Sequence, residues 1–242
     1  MISRTKLILL GFLFILFVLF VVLPKTNTLT DNGPLNPKDF STNITNKYFS
    51  LPTGTKFIFE ERTDEGVERI EIVISGETKM INGIETLVYW DREWLNGQLA
   101  EDTRDYLAQH KNGDVWYFGE DVDNYNAKGE FVSHGGSWLA GKDGARPGIW
   151  VKENPRVGES YRQEYYFQEA EDMADVISLT EKVTTRYGTF TNCLQTRDWT
   201  PLDPASLEYK YYCPEVRMLV LEHDIPTGEE AQLLDIQKEK SF

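Results

Sequence analysis

The residues with chemistry to offer are mostly acids. The chain carries 39 Asp and Glu against 25 Lys and Arg, a formal charge of −14, with three His and two Cys. His110, His134 and His223 are far apart, and none has a His or Cys partner at metal-ligand spacing. That argues against zinc and other imidazole–thiolate centres. His134-Gly135-Gly136 matches part of an esterase oxyanion loop, but the G-x-S-x-G elbow is missing, as are phosphate-binding and dinucleotide glycine loops. Asp121-Val122-Asp123-Asn124 opens like a calcium loop, yet Asn126 stands where that loop needs glycine and no Glu closes it. Two kinds of carboxylate chemistry remain: a hard cation held on a strand face, or a pair of acids flanking a sugar bond.

Which acids meet depends on register. Asn82-Gly83, Asn96-Gly97 and Asn112-Gly113 suit type I′ turns, which join antiparallel strands with two-residue loops. A two-residue turn at Asn96-Gly97 sets Trp94 opposite Leu99 and Arg92 opposite Glu101. One at Asn112-Gly113 carries the pairing to the next strand, and Asp91, Asp102 and Asp123 then form one row across three strands. Val88, Asp105 and Glu120 form a second row on the opposite face. Facing carboxylates repel unless something compensates, so a bulge shifts the register near residue 120, the row is solvated, or the first row is a candidate Ca²⁺ site. No other cofactor is implied.

The two cysteines follow the same logic. Thr200-Pro201-Leu202-Asp203-Pro204 is a strong turn composition, and a hairpin centred on Asp203 pairs Trp199 with Leu207, Arg197 with Tyr209, Gln195 with Tyr211 and Cys193 with Cys213. An even cysteine count in an exported domain favours a disulfide between Cys193 and Cys213. The same register opposes Asp198 and Glu208, which predicts an irregularity in that hairpin. Aromatic side chains are the other resource. Runs such as Trp116-Tyr117-Phe118 put large rings on both faces of a strand, so one face is core and the other needs a cover or a ligand. Trp90, Trp116, Phe118 and Tyr166 are the candidates to line a groove for a small apolar ligand.

The elements that must position these groups read as β almost throughout. Successive stretches from 57–61 to 216–222 mix β-branched, aromatic and polar residues, and only 169–175 and 229–238 leave room for a short helix. The fold class is mainly β: a curved antiparallel meander or half-barrel spanning 48–242. Residues 25–47 are polar, carry Pro34 and Pro37, and read as a linker. Residues 7–23 are an unbroken apolar run, about 26 Å as a helix, enough for a bilayer core. Arg4 and Lys6 precede it, so 1–24 is expected to be a transmembrane helix with its short tail in the cytoplasm and the β domain outside. A cleaved signal peptide is the rival, although no small-residue pair follows the run. Either way the domain is exported, and the expected location is the cell membrane, single-pass. The negative field makes nucleic acid a poor partner.

The carboxy-terminal strands carry a resemblance. Tyr187-Gly188-Thr189-Phe190, then Cys193 to Thr196, then Tyr211-Tyr212-Cys213-Pro214-Glu215-Val216 and Leu219-Val220 are similar to the closing strands of exported bacterial proteins of the lipoprotein-carrier-like group. Here Glu215 and Arg217 replace two glycines of that pattern. The resemblance implies a curved antiparallel sheet, a bacterial source, and an apolar ligand or an envelope protein as partner. A carboxylate-dependent hydrolase of an envelope polymer and a Ca²⁺-binding structural module are the alternatives.

Overall fold

The computed structural model describes residues 35–238. The expected anchor, 1–24, lies outside the described residues. Among those described, no helix is long and apolar enough to cross a membrane.

Turn chemistry sets the pattern of the first half. Asn82 and Gly83 take φ of 48° and 80°, and Asn96 and Gly97 take 52° and 82°. Both residues of each pair are thus left-handed, as a type I′ turn requires. Asn112-Gly113 behaves differently. Only Gly113 is at positive φ, 93°, and His110 N–H donates to Asp114 O, so the loop holds three residues and Gln109 faces Val115.

Among the described residues, seventeen strands form one sheet. They are β1 (Phe40–Ser41), β2 (Thr55–Thr63), β3 (Gly66–Ile74), β4 (Thr78–Ile81), β5 (Ile84–Leu95), β6 (Gln98–His110) and β7 (Val115–Tyr125). Five short ones follow: β8 (Phe131–Ser133), β9 (Trp138–Leu139), β10 (Arg146–Val151), β11 (Ser160–Arg162) and β12 (Glu164–Tyr165). The last five are β13 (Met173–Thr184), β14 (Thr189–Trp199), β15 (Leu207–Cys213), β16 (Met218–Asp224) and β17 (Glu230–Lys238). Strands β13 to β17 run as a meander, β17 pairs with β2, and the ladder continues through β3, β5, β6 and β7 to β10. The segment containing β11 and β12 then pairs on one side with β13 and on the other with β10. All these pairings are antiparallel, and the sheet returns on itself as a nearly closed barrel, which leaves few exposed edges.

Three expectations change. Residues 229–238 form β17, not a helix, because Ala231 and Leu233 alternate inward opposite Glu61 and Phe59 and join the sheet's two halves. The 169–175 segment is a turn leading into β13. Within the polar stretch 25–47, the described residues 35–47 pack on the barrel: Phe40 and Ser41 pair with His110 and Gln109 on β6, and Ile44 and Asn46 are buried. Asn46 Oδ1 accepts from the Tyr48 and Phe49 N–H groups, so local side-chain capping compensates for low apolar content.

The β14–β15 hairpin has the expected register, with Arg197 opposite Tyr209 and Asp198 opposite Glu208, and Cys193 and Cys213 are disulfide-bonded with α-carbons 4.3 Å apart. No irregularity interrupts that ladder.

The barrel interior has two halves. Toward the end where β4 meets β5 and β15 meets β16, inward positions are apolar, including Phe57, Ile72, Ile74, Leu87, Leu107 and Leu194. Phe49 plugs that end, with its ring against Tyr89, Trp150 and Tyr212. Toward the other end, where β2 turns into β3, β5 into β6 and β14 into β15, inward positions are charged.

Candidate functional site: an acid-lined cup

Period-two alternation carries acids to the inner face on strand after strand. Glu61 on β2 shares its row with Glu68 on β3, and Ile70 on β3 faces Glu93 on β5. Glu93 faces Glu101 on β6, and Asp105 on β6 faces Glu120 on β7. Glu164 on β12 and Asp198 on β14 continue the belt, and Thr196, Lys210, Glu222 and Ala231 form a row across β14 to β17 that leads back to Glu61. Among the described residues nine carboxylates are buried and one ammonium, Lys210.

The two walls of this cup differ. On the β14–β16 wall, Lys210 Nζ lies 3.7 Å from Asp198, 3.4 Å from Glu208 and 3.5 Å from Glu222. Burial alone would pull the ammonium's pKa down, but Glu222, Glu208 and Asp198 more than offset this and hold it raised. Burial raises the Glu222 carboxyl, but the Lys210 charge together with hydrogen bonds to Glu208 and Lys210 brings it below its ordinary value, whereas burial and the Glu222 charge push Glu208 up to about 8. This arrangement explains the regular ladder where Asp198 and Glu208 face each other: Lys210 stands between them.

Among the described residues, the β5–β7 wall has no buried cation of this kind. Asp91 is pushed up to about 8 by burial and then by the charges of Asp105, Glu101 and Glu222. Burial, reinforced by neighbouring acids, raises Glu93 and Glu120 well above the carboxylate range and Glu101 less so, and burial raises Asp105 against the Tyr117 hydrogen bond and the Lys210 charge. Hydroxyls satisfy part of the wall: Thr103 Oγ1 donates to Glu101 Oε1 at 2.6 Å, and the Tyr117 hydroxyl donates to Asp105 Oδ1 at 2.6 Å. Between the walls, Trp138 Nε1 donates to Glu164 Oε2 at 2.9 Å, and burial with the Asp172 charge still holds Glu164 well above its usual value.

The residues singled out in the sequence are not all brought together. Asp102 faces Asp123 as expected, but Asp91 faces Thr103. One extra residue, Ala100, sits between the Trp94–Leu99 and Glu93–Glu101 pairs, and this β-bulge slips the register by one. The slip sends Asp91 into the cup and leaves Asp102 and Asp123 on the outer face, so the three acids do not form one row. Asp102 accepts from Trp90 Nε1 and Arg104, and Asp123 contacts His134 Nδ1 at 2.8 Å. Among the described residues, no group of three or more His, Cys, Asp or Glu is placed to hold a metal ion.

The aromatic candidates also have local partners. Arg92 stacks 4.1 Å from the Trp90 ring centre and 5.1 Å from that of Trp94, which puts Trp90 in an outer-face ladder. Trp116 and Phe118 lie edge-on to Phe40 at 5.8 and 5.4 Å, under the strap that ends in β1. Tyr166 bridges to Ala170 at the neck of a turn. The belt residues Glu93, Glu101, Glu164 and Glu222 were not singled out. Their signal was acids at alternate positions, as in Asp91 and Glu93 or Glu101 and Asp105, within strands whose other face carries Trp, Arg or Tyr.

No family model matches the chain, and no curated protein does. Among solved structures, the crystal structure of a "putative lipoprotein" from Parabacteroides distasonis is similar, with 15% identity, 79% of this chain and 99% of that chain covered, and a TM-score of 0.41.

Proposed function

We propose that this chain is an exported binding protein, held at the membrane by its amino-terminal segment, whose barrel takes up a small organic cation in the acid-lined cup. The observation that carries the proposal is the buried charge: nine carboxylates against one lysine. An ionised carboxylate without a counter-charge costs several kcal/mol to bury, so such a belt persists only with protons or cations in it. The Cys193–Cys213 disulfide supports export, since such bonds persist in oxidising compartments.

The ligand differs from the apolar one expected from the aromatic residues, because Trp90, Trp116 and Phe118 already pack against groups of the chain itself. Hydrolysis is the second reading. It draws on Asp105 and Glu120, which face each other inside the cup and would share a proton as a general acid and base do. Release of reducing sugar from an envelope glycan would be its signature.

Thermal unfolding of the full-length protein at pH 7.5 tests the proposal, with agmatine as an organic dication and octanoate as an apolar anion. The expected result is a Tm raised by agmatine and unmoved by octanoate. A Tm that agmatine leaves unchanged at millimolar concentration contradicts it.

A further inference from the structure

The cup's two walls do not offer a cation the same welcome. On the β14–β16 wall Lys210 already lies within 3.7 Å of Asp198, Glu208 and Glu222, so those acids have a built-in counter-ion. The β5–β7 wall has Asp91, Glu93, Glu101, Asp105 and Glu120 and no buried cation of its own. Asp91 is 9% exposed and Glu120 3% exposed, yet Asp91 Oδ1 and Glu120 Oε1 have no hydrogen-bond partner; Asp198 Oδ1 on the other wall has none either, but Lys210 lies 3.7 Å from that carboxyl. Buried acceptors of this kind are normally satisfied, and an unmet one is a place for a missing donor.

We infer that the β5–β7 wall is the seat of the ligand's cationic head, an ammonium or guanidinium whose several N–H groups fill the acceptors of Asp91 and Glu120 between the facing pairs Glu93–Glu101 and Asp105–Glu120. The inference rests on the proposed function above and adds the wall and the ligand class. Cross-strand neighbours hold their β-carbons about 5 Å apart, a spacing that a forked N–H donor spans. Among the described residues the one buried cation, Lys210, already meets three acids, which favours as ligand an amine or guanidine without an acidic group. Agmatine and arginine differ by that one carboxylate and make the natural pair of probes.

Calorimetric titration of the full-length protein at pH 8 reads this directly. Wild type is expected to bind agmatine at least about tenfold more tightly than arginine. The Glu93→Gln/Glu101→Gln variant is expected to weaken agmatine about tenfold or more, a larger loss than Glu208→Gln produces, while Asp102→Asn on the outer face leaves affinity unchanged. If the double variant does not fold, as judged by its Tm, Glu120→Gln replaces it, because Glu120 Oε1 has no protein partner to lose. A larger loss in Glu208→Gln than on the β5–β7 wall overturns the inference and leaves the cup's function standing. Equal affinity for arginine overturns the ligand class. No binding of agmatine by wild type overturns the inference and the proposed function together.

Discussion

At the residue scale, the unusual property of the chain is how it holds its acids. Asp91 is pushed up to about 8 by burial, far above the unfolded value near 4. Between about pH 4 and 8 the unfolded chain has released a proton that the folded protein still holds, so stability falls as pH rises through that window. Asp91→Asn removes this term. Its Tm is expected to exceed wild type at pH 8 and to match it near pH 5, as a series of melts across that range would show; a wild-type advantage at pH 8 would contradict the burial argument. Lys210 makes the opposite case. Lys210→Met strands Asp198, Glu208 and Glu222, and urea denaturation at pH 7.5 is expected to show a loss of about 3–5 kcal/mol, smaller at pH 5 where protons compensate. The sequence showed that acids would face one another, but the Asp105–Glu120 pair has its expected register only because the three-residue loop at Asn112-Gly113 and the extra residue at Phe118–Gly119 cancel. It did not show Lys210 as the partner of Asp198 and Glu208, because that contact also needs Glu222 from β16.

At the element scale, most hairpins were readable, and a bulge near residue 120 was one of the ways foreseen to separate facing acids, but the one at Ala100 was not. Positive φ at Asn96 and Gly97 fixes the start of the β5–β6 ladder, and the Cys193–Cys213 register followed from one Pro-rich turn. The Ala100 bulge asks for no special residue, so nothing in the sequence announced it, yet it decides which of Asp91 and Asp102 enters the cup. A second irregularity does leave a mark. Two residues of β7, Phe118 and Gly119, answer Tyr106 on β6, and Gly119 sits at φ 122° with the place of a Cβ only 2.2 Å from Trp138 O. Gly119→Ala is expected to cost at least about 1–3 kcal/mol by chemical denaturation, and a neutral result would mean that β9 does not press on β7 as described. Reduction of the disulfide, which links residues 20 apart in sequence, is expected to cost about 3 kcal/mol in the same assay. Barrel closure escaped the sequence for a third reason: the β17–β2 and β7–β10 pairings join distant segments, and no turn records them.

At the scale of the whole molecule, one half of the barrel interior is apolar and the other is lined by buried acids, the division on which the proposed cation site rests. The apolar half supplies the stability that a belt of buried acids withdraws. Intact-mass measurement of protein from its native membrane is expected to show residues 1–24 retained, whereas their loss would make the segment a signal peptide. The cup itself is tested most directly by counting protons. Asp91 is pushed up to about 8, so at pH 7 it holds a proton that a cation seated on the β5–β7 wall must displace. Calorimetric titration of agmatine into the full-length protein at pH 7, repeated in two buffers of different ionisation enthalpy, is expected to give heats that differ by the release of about one proton or more per ligand. Heats identical in both buffers, or no heat at all, would contradict a cation seated among buried carboxyls.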